Sequence, residues 1–117
     1  MHFDQTGTEE RIARERDETA QLVRALTSDL EDIIESMSLS NNDDEHDPDG
    51  ATNGYERAKA GAMLRHAQEH LLELDRAGDR LRDGTYGRCA RCGTAIGAER
   101  LDAVPTTTRC VTCAAVG

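Results

Sequence analysis

The fold of this 117-residue chain is decided by residues 84–113, GTYGRCARCGTAIGAERLDAVPTTTRCVTC. This stretch contains all four cysteines of the protein. They form two Cys-x-x-Cys pairs with 17 residues between them: Cys89, Cys92, Cys110 and Cys113. Two such pairs bring four thiolates to one tetrahedral zinc ion. Because four cysteine ligands leave no coordination position for water, we predict a single structural zinc.

The clustering of the cysteines also indicates the cellular compartment of the protein. In a reducing environment, four cysteines in one short stretch favour a metal site over disulfides. Residues 1–5, MHFDQ, lack the basic region and apolar core of a signal peptide, and no run approaches the roughly 18 apolar residues that span a membrane. We therefore expect a cytoplasmic protein without a membrane partner. A redox switch, in which oxidation ejects the zinc, is the alternative for these thiols.

Two heptad patterns precede the cysteine module. Apolar and small residues recur in steps of four and three, which is the spacing of a coiled-coil seam. The first seam consists of Thr19, Val23, Leu26, Leu30, Ile33 and Met37, with Ile12 one heptad earlier. The second consists of Ala60, Leu64, Ala67, Leu71, Leu74, Gly78 and Leu81. Capping boxes predict that the helices begin near Thr8, after Thr6, and near Asn53.

An acidic segment separates the two seams. Residues 40–54 contain Pro48, Gly50 and Gly54, and five acids lie between Asp43 and Asp49, so we predict an irregular tip loop. Two helices of similar length joined by this loop bury their seams against each other. The predicted fold is therefore mainly α. It has a long antiparallel coiled-coil hairpin over residues 1–83 and a small four-cysteine zinc finger over residues 84–117. Pairing of the helices between two chains is the alternative.

The charge distribution restricts the class of partner. The chain has a net charge of −9, and the residues from Gly84 onward carry +2, which leaves −11 on the first 83 residues. Such an acidic arm opposes approach to phosphates. We therefore expect no direct binding to DNA, and a protein partner with a basic surface or cavity.

One further motif is typical of an enzyme. His66, Glu69 and His70 match the H-x-x-E-H signature of a class of zinc peptidases. Those enzymes need another ligand and a cleft, whereas Ala67 and Leu71, beside the two histidines, belong to the seam. We interpret the motif as a solvated helix face and predict that the protein is not an enzyme.

The quoted stretch, together with the hairpin layout, resembles the TraR/DksA family of C4-type zinc finger proteins. The resemblance implies a zinc finger at the base of a coiled-coil hairpin. It also implies binding to RNA polymerase, with the hairpin tip inserted through the secondary channel to modulate initiation, often together with guanosine tetraphosphate. A zinc-stabilised coiled-coil adaptor for another protein partner is the alternative function. A monomer is the expected oligomeric state.

The family's tip pattern, Asp-x-x-Asp-x-Ala, is only partly present. Asp49 and Ala51 match its second and third positions, while His46 replaces the first Asp and Asp47 lies beside it. The resemblance implies that these four residues form the partner-binding tip.

A second departure concerns the nucleotide. Glu73, Val104 and Ala114 stand at the finger–coil junction, where the resemblance calls for basic residues to hold a tetraphosphate. Anion binding there is unfavourable without them. We therefore expect weak dependence, or none, on guanosine tetraphosphate.

Overall fold

A computed structural model describes residues 4–40 and 49–116, apart from the side chains of residues 40 and 49–53. Two long helices, α1 (Gln5–Ser40) and α2 (Asp49–Asp83), are followed by two short ones, α3 (Ala98–Ala103) and α4 (Val111–Val116). The only β feature in the described ranges is an isolated bridge between Arg88 and Ala95. No helix in these ranges has the length and hydropathy of a membrane span. The predicted fold, a mainly α protein with a long helical hairpin and a cysteine module, is confirmed.

Helix α1 begins three residues earlier than predicted. Its first residue is Gln5, and the Thr8 N–H donates to the Asp4 carbonyl oxygen at 2.9 Å. A Cβ atom built on Gly7 would lie 2.5 Å from Asp4 Oδ2, so the Asp4 carboxylate covers the first turn. Aspartate is among the best residues for this flanking position. The predicted start near Thr8 is therefore wrong, because Asp4 precedes the helix and takes that position.

The predicted loop over residues 40–54 is wrong at Ser40 and over residues 49–54, which are helical, and residues 41–48 lie outside the described residues. Helix α2 begins at Asp49, so both Gly50 and Gly54 lie inside it, as does the predicted capping residue Asn53. Proline has no N–H to lose at a helix start, so a helix can begin directly after Pro48. Each helical glycine costs about 1 kcal/mol relative to alanine, which a 35-residue helix tolerates.

The chain forms two compact units, and each long helix contributes residues to both. The first unit contains residues 1–17 and 72–117, and the second contains residues 18–71. The zinc finger thus shares its unit with one end of each long helix. These boundaries differ from the sequence-based division at residue 84, which stays a prediction.

In the second unit, the two helices pack through the predicted seams. Thr19 and Leu26 of α1 are buried, as are Ala60 and Ala67 of α2. The other seam positions in this unit are half-buried: Val23, Leu30, Ile33, Met37, Leu64 and Leu71. The heptad prediction is therefore confirmed.

In the first unit, one core joins the helices to the finger. Its buried members are Ile12, Leu74, Ala77, Leu81, Tyr86, Cys89, Ile96, Leu101 and Cys113. Ala77 is fully buried although it lies outside the predicted seam. In this unit α2 is covered by α1 and by the finger, so a wider face of the helix is buried than a two-helix seam requires.

Candidate zinc site and its surroundings

The four cysteine thiols form one cluster. Their Sγ atoms all lie within 4.8 Å of one another, and those of Cys92 and Cys110 are 3.8 Å apart. A tetrahedral zinc ion with Zn–S bonds of about 2.3 Å separates its sulfur ligands by about 3.8 Å. The donor set therefore fits zinc in number, chemistry and spacing.

No second metal site is formed by the residues whose side chains are described. The cysteine cluster is the only group of three or more His, Cys, Asp or Glu donors placed to share an ion there. His66 and Glu69 of the peptidase-like motif are exposed, and His70 is half-buried. These three residues do not form such a group.

Glycine turns shape the first knuckle. Gly93, directly after Cys92, has a φ of +77°, which a side chain rarely adopts, and its N–H donates to the Cys89 carbonyl oxygen at 2.9 Å. The Cys89 N–H donates in turn to the Thr94 carbonyl oxygen at 2.8 Å. These bonds curl the backbone around the metal position and turn Cys89 and Cys92 to the same side.

The second knuckle is joined to the first through the backbone. The Ala90 N–H donates to the Thr108 carbonyl oxygen at 2.7 Å, which brings the segment before Cys110 against the first knuckle. Helix α4 then begins at Val111, and the Ala114 N–H donates to the Cys110 carbonyl oxygen at 2.9 Å. This short helix places Cys113 in the core, whereas Cys92 is the exposed thiol of the four.

The local polarity favours thiolate ligands. Backbone N–H groups of Cys110 and Cys92 lower the pKa of the Cys89 thiol to about 5, and the Thr94 side chain lowers the pKa of Cys92. The neighbouring Cys110 thiol and burial raise the pKa of Cys113 to about 12. Four negative charges at this spacing repel one another, so the full thiolate set requires a cation. A bound Zn²⁺ would supply that charge, and the four cysteines would hold it as thiolates.

Two arginine side chains attach the finger to the long helices of its unit, and one tyrosine side chain stabilises the finger itself. The Tyr86 hydroxyl donates to the Pro105 carbonyl oxygen at 2.7 Å, and burial raises the pKa of Tyr86. The Arg11 guanidinium donates to the Asp102 carbonyl oxygen at 2.8 Å and contacts its carboxylate at 3.4 Å. Arg80 donates to the Thr106 carbonyl oxygen at 3.3 Å. Sequence reasoning missed these contacts because no local pattern links residues so far apart.

A cavity of about 500 Å³ lies at the junction of α2 and the finger. Glu73, Val104 and Ala114 line it, in agreement with the position that the family resemblance implies for them. Four arginines line it as well: Arg76, Arg80, Arg100 and Arg109. The family's three positions are not basic here, but tertiary structure brings other arginines to the same cavity.

The described structure does not test the predicted partner-binding tip. His46 and Asp47 lie outside the described residues. Asp49 is the first residue of α2 and Ala51 lies in its first turn, and their side chains are not described. The tip set stays a prediction.

The site and fold define a class, namely helical-hairpin proteins with a C4-type zinc finger. The family model described as prokaryotic dksA/traR C4-type zinc finger matches residues 84–116. The fold is similar to that of transcription factor DksA2 from Pseudomonas aeruginosa, with a TM-score of 0.79 and 25% identity. That match covers 96% of this chain and 81% of the other. Both matches support the predicted membership of the DksA/TraR family, and the predicted structural zinc is confirmed.

Two proteins of Bacillus subtilis (strain 168) are similar to this chain in sequence. The chain is 43% identical over 65 residues to the uncharacterized protein YteA of Bacillus subtilis (strain 168). It is 40% identical over 67 residues to general stress protein 16O of the same strain. The matches cover 27% of the first relative and 41% of the second, so this chain spans less than half of either.

Proposed function

We propose that this protein is a transcription regulator that binds RNA polymerase and inserts its hairpin tip into the secondary channel to modulate initiation. The observation that carries the proposal is a dksA/traR-type zinc finger on a fold that matches a transcription factor over 96% of the chain. We further propose that Cys89, Cys92, Cys110 and Cys113 are the zinc ligands. A cytoplasmic location fits thiols that are free of disulfides.

The second compact unit supports this function through its charge and exposed apolar groups. It contains 12 acidic and four basic residues, a net charge of −8. Complementary charge would steer it toward a basic channel. Leu39 and Tyr55, on either side of the acidic segment, are 65% and 68% exposed. Aromatic residues such as Tyr55 are enriched in protein interfaces.

Cross-linking to purified core RNA polymerase from the same organism tests channel insertion. A photoreactive amino acid at Tyr55 should label the region around the polymerase active site. The same group at Leu22, another exposed position of the second unit, is the control for non-specific labelling. Absence of binding at micromolar concentration would contradict the proposal and favour the adaptor alternative.

Tip variants separate binding from action. Asp49→Asn and Ala51→Thr should abolish the effect on initiation while polymerase binding is retained, because they change the tip and leave the finger intact. Glu31→Gln, an exposed acid of α1, removes the same charge as Asp49→Asn and should behave as wild type. If Asp49→Asn, Ala51→Thr and Glu31→Gln all changed initiation to the same extent, the tip would be excluded from the mechanism.

We also propose that guanosine tetraphosphate contributes little to this action. Glu73 places a carboxylate in the junction cavity, where it repels a compact tetraphosphate. Arg80 and Arg100 already donate to the carbonyl oxygens of Thr106 and Arg109. Tight nucleotide binding to the polymerase complex, measured by calorimetry, would contradict this view.

A further inference from the structure

A groove of about 740 Å³ lies between α1 and α2 in the first compact unit. In the described part of the chain, its walls come from these two helices alone. Its floor consists of buried core residues, namely Ile12, Leu74 and Leu81. Ala13, which is exposed, and Gly78, which is half-buried, leave the space above this floor open. We call this feature the α1–α2 groove.

The groove exists because the helical seam lacks two apolar side chains. Gly78 occupies a seam position of α2 and has no side chain to fill the space. Arg16 lies four residues after Ile12, at the seam spacing of α1, but its side chain is 54% exposed and contacts Asp75. A Cβ atom on Gly78 would lie 3.7 Å from Arg82 Nη1, an ordinary contact, so alanine has room there. Glycine inside a helix lowers stability relative to alanine, and such departures from local stability are typical of functional positions.

The rim of the groove is acidic. Four acids and two arginines line it, which gives it a net charge of −2: Glu9, Asp17, Asp75, Asp79, Arg16 and Arg82. Arg16 contacts Asp75, and Arg82 contacts Asp79. The positive charges are therefore balanced within the groove, and the surplus is negative. A positively charged partner would complement this surface.

The walls of the groove restrict the conformation of an occupant. The backbone N–H and C=O groups of α1 and α2 are bonded within these helices, so they offer no backbone partner to an extended peptide. An α-helix satisfies its own backbone groups and presents apolar side chains three and four residues apart. The stretch from Glu9 to Asp17 is about 12 Å long, so about two turns of a docked helix fit along it.

We propose that the α1–α2 groove binds a basic amphipathic helix of a partner protein. One apolar side chain of that helix fills the space left by Gly78, and lysine or arginine side chains beside it pair with acids of the rim such as Glu9 and Asp17. All residues of the groove belong to the first compact unit. This inference goes beyond the proposed function, since it concerns a surface other than the tip, and it is tested without polymerase.

NMR titration of the zinc-loaded full chain tests the proposal. The probe is an alanine-based helical peptide of about 15 residues, with leucines four residues apart on one face and lysines beside them. The amide signals of Ala13 and Gly78 should shift and saturate, with a dissociation constant below about 1 mM. A peptide with glutamate in place of every lysine should leave these signals unchanged, because it repels the rim.

Filling the groove should weaken binding of the lysine peptide. Gly78→Leu places a side chain in the occupant's space and should weaken binding at least about tenfold. Gly54→Leu is the matched control, because it makes the same change in α2 at an exposed position with nothing within 4 Å. Zinc content and circular dichroism verify that both variants fold.

Neutralising the rim tests the charge without changing side-chain size. Glu9→Gln/Asp17→Asn should weaken binding about tenfold in about 0.1 M salt, and the difference should shrink in about 1 M salt. Glu18→Gln/Asp29→Asn removes the same charge from exposed residues of α1 outside the groove and should bind as wild type.

Three results would overturn the proposal. They are the absence of saturable shifts up to about 1 mM lysine peptide, equal binding by Gly78→Leu and wild type, and equal binding of the lysine and glutamate peptides. Concentration-dependent shifts of the groove signals without peptide would assign the groove to a second copy and would also overturn it. Polymerase binding is measured separately, so failure here leaves the proposed function intact.

Discussion

The hydroxyl oxygen of Thr94 lies 2.9 Å from the Sγ atom of Cys92, the most exposed of the four thiols. Hydrogen bonds of this kind orient a ligand and stabilise its thiolate form, and their loss costs about 10- to 100-fold in metal affinity. We expect Thr94→Ala to weaken zinc binding by about tenfold, since water replaces part of the interaction at an exposed sulfur. Competition with a chromophoric chelator measures the change. Thr94→Ser keeps the hydroxyl and should bind zinc as wild type, and equal affinities of all three proteins would contradict the assignment.

At the scale of single elements, alanine substitutions at two glycines, one inside α2 and one directly after it, should change the stability of the protein in opposite directions. Gly54 lies inside the helix, and a Cβ atom there meets nothing within 4 Å, so Gly54→Ala should stabilise the protein by about 0.5–1 kcal/mol. Gly84, directly after the helix, has a φ of +79°, so Gly84→Ala should destabilise it by about 1 kcal/mol. Urea unfolding followed by circular dichroism measures both changes. No gain from Gly54→Ala would indicate that residue 54 belongs to a loop, as the composition of that segment first indicated.

The faces of α2 provide another prediction at the scale of elements. Leu74 is completely buried, whereas Leu72, two residues earlier, is 49% exposed. Leu74→Ala removes buried methyl groups and leaves a cavity in the core of the first unit, so it should cost about 2–5 kcal/mol. Leu72→Ala makes the same chemical change on an exposed face and should cost less than about 1 kcal/mol. Similar unfolding midpoints for the two variants in urea would show that the assigned core is wrong.

For the whole molecule, the zinc ion should determine whether the first compact unit keeps its tertiary structure. Cys89 and Cys113 belong to the same core cluster as Ile12 and Leu81, so the metal and the helix ends are stabilised together. A structural zinc contributes on the order of 10 kcal/mol, comparable to the total stability of a typical domain. Chelation should therefore abolish the dispersed NMR signals of the finger, including those of Tyr86, and lower the thermal midpoint. Added zinc should restore both, and unchanged Tyr86 signals in verified zinc-free protein would contradict this coupling.

Helix boundaries show where local sequence information was insufficient. The interiors of α1 and α2 follow from heptads such as Leu26 to Ile33, because the burial period of a paired helix is written directly in the sequence. Their starts were misplaced because several polar residues compete for the capping position. Asp4 took that position ahead of Thr6, and a long helix tolerated Gly50 and Gly54. The energy differences between such alternatives are about 1 kcal/mol, too small for a pattern to resolve.

The sequence by itself determined the helical hairpin class, the two seams and the four-thiol zinc chemistry, because each is encoded by residue type at short, regular spacing. Only the tertiary structure revealed that Arg11 and Arg80 attach the finger to the helices, that Ala77 is in the core, and that four arginines share a cavity with Glu73. Arg76 and Arg109 meet at that cavity although 32 residues of chain lie between them. Periodicity reports which face of an element is buried, whereas the electrostatics of a cavity depend on which distant elements pack around it.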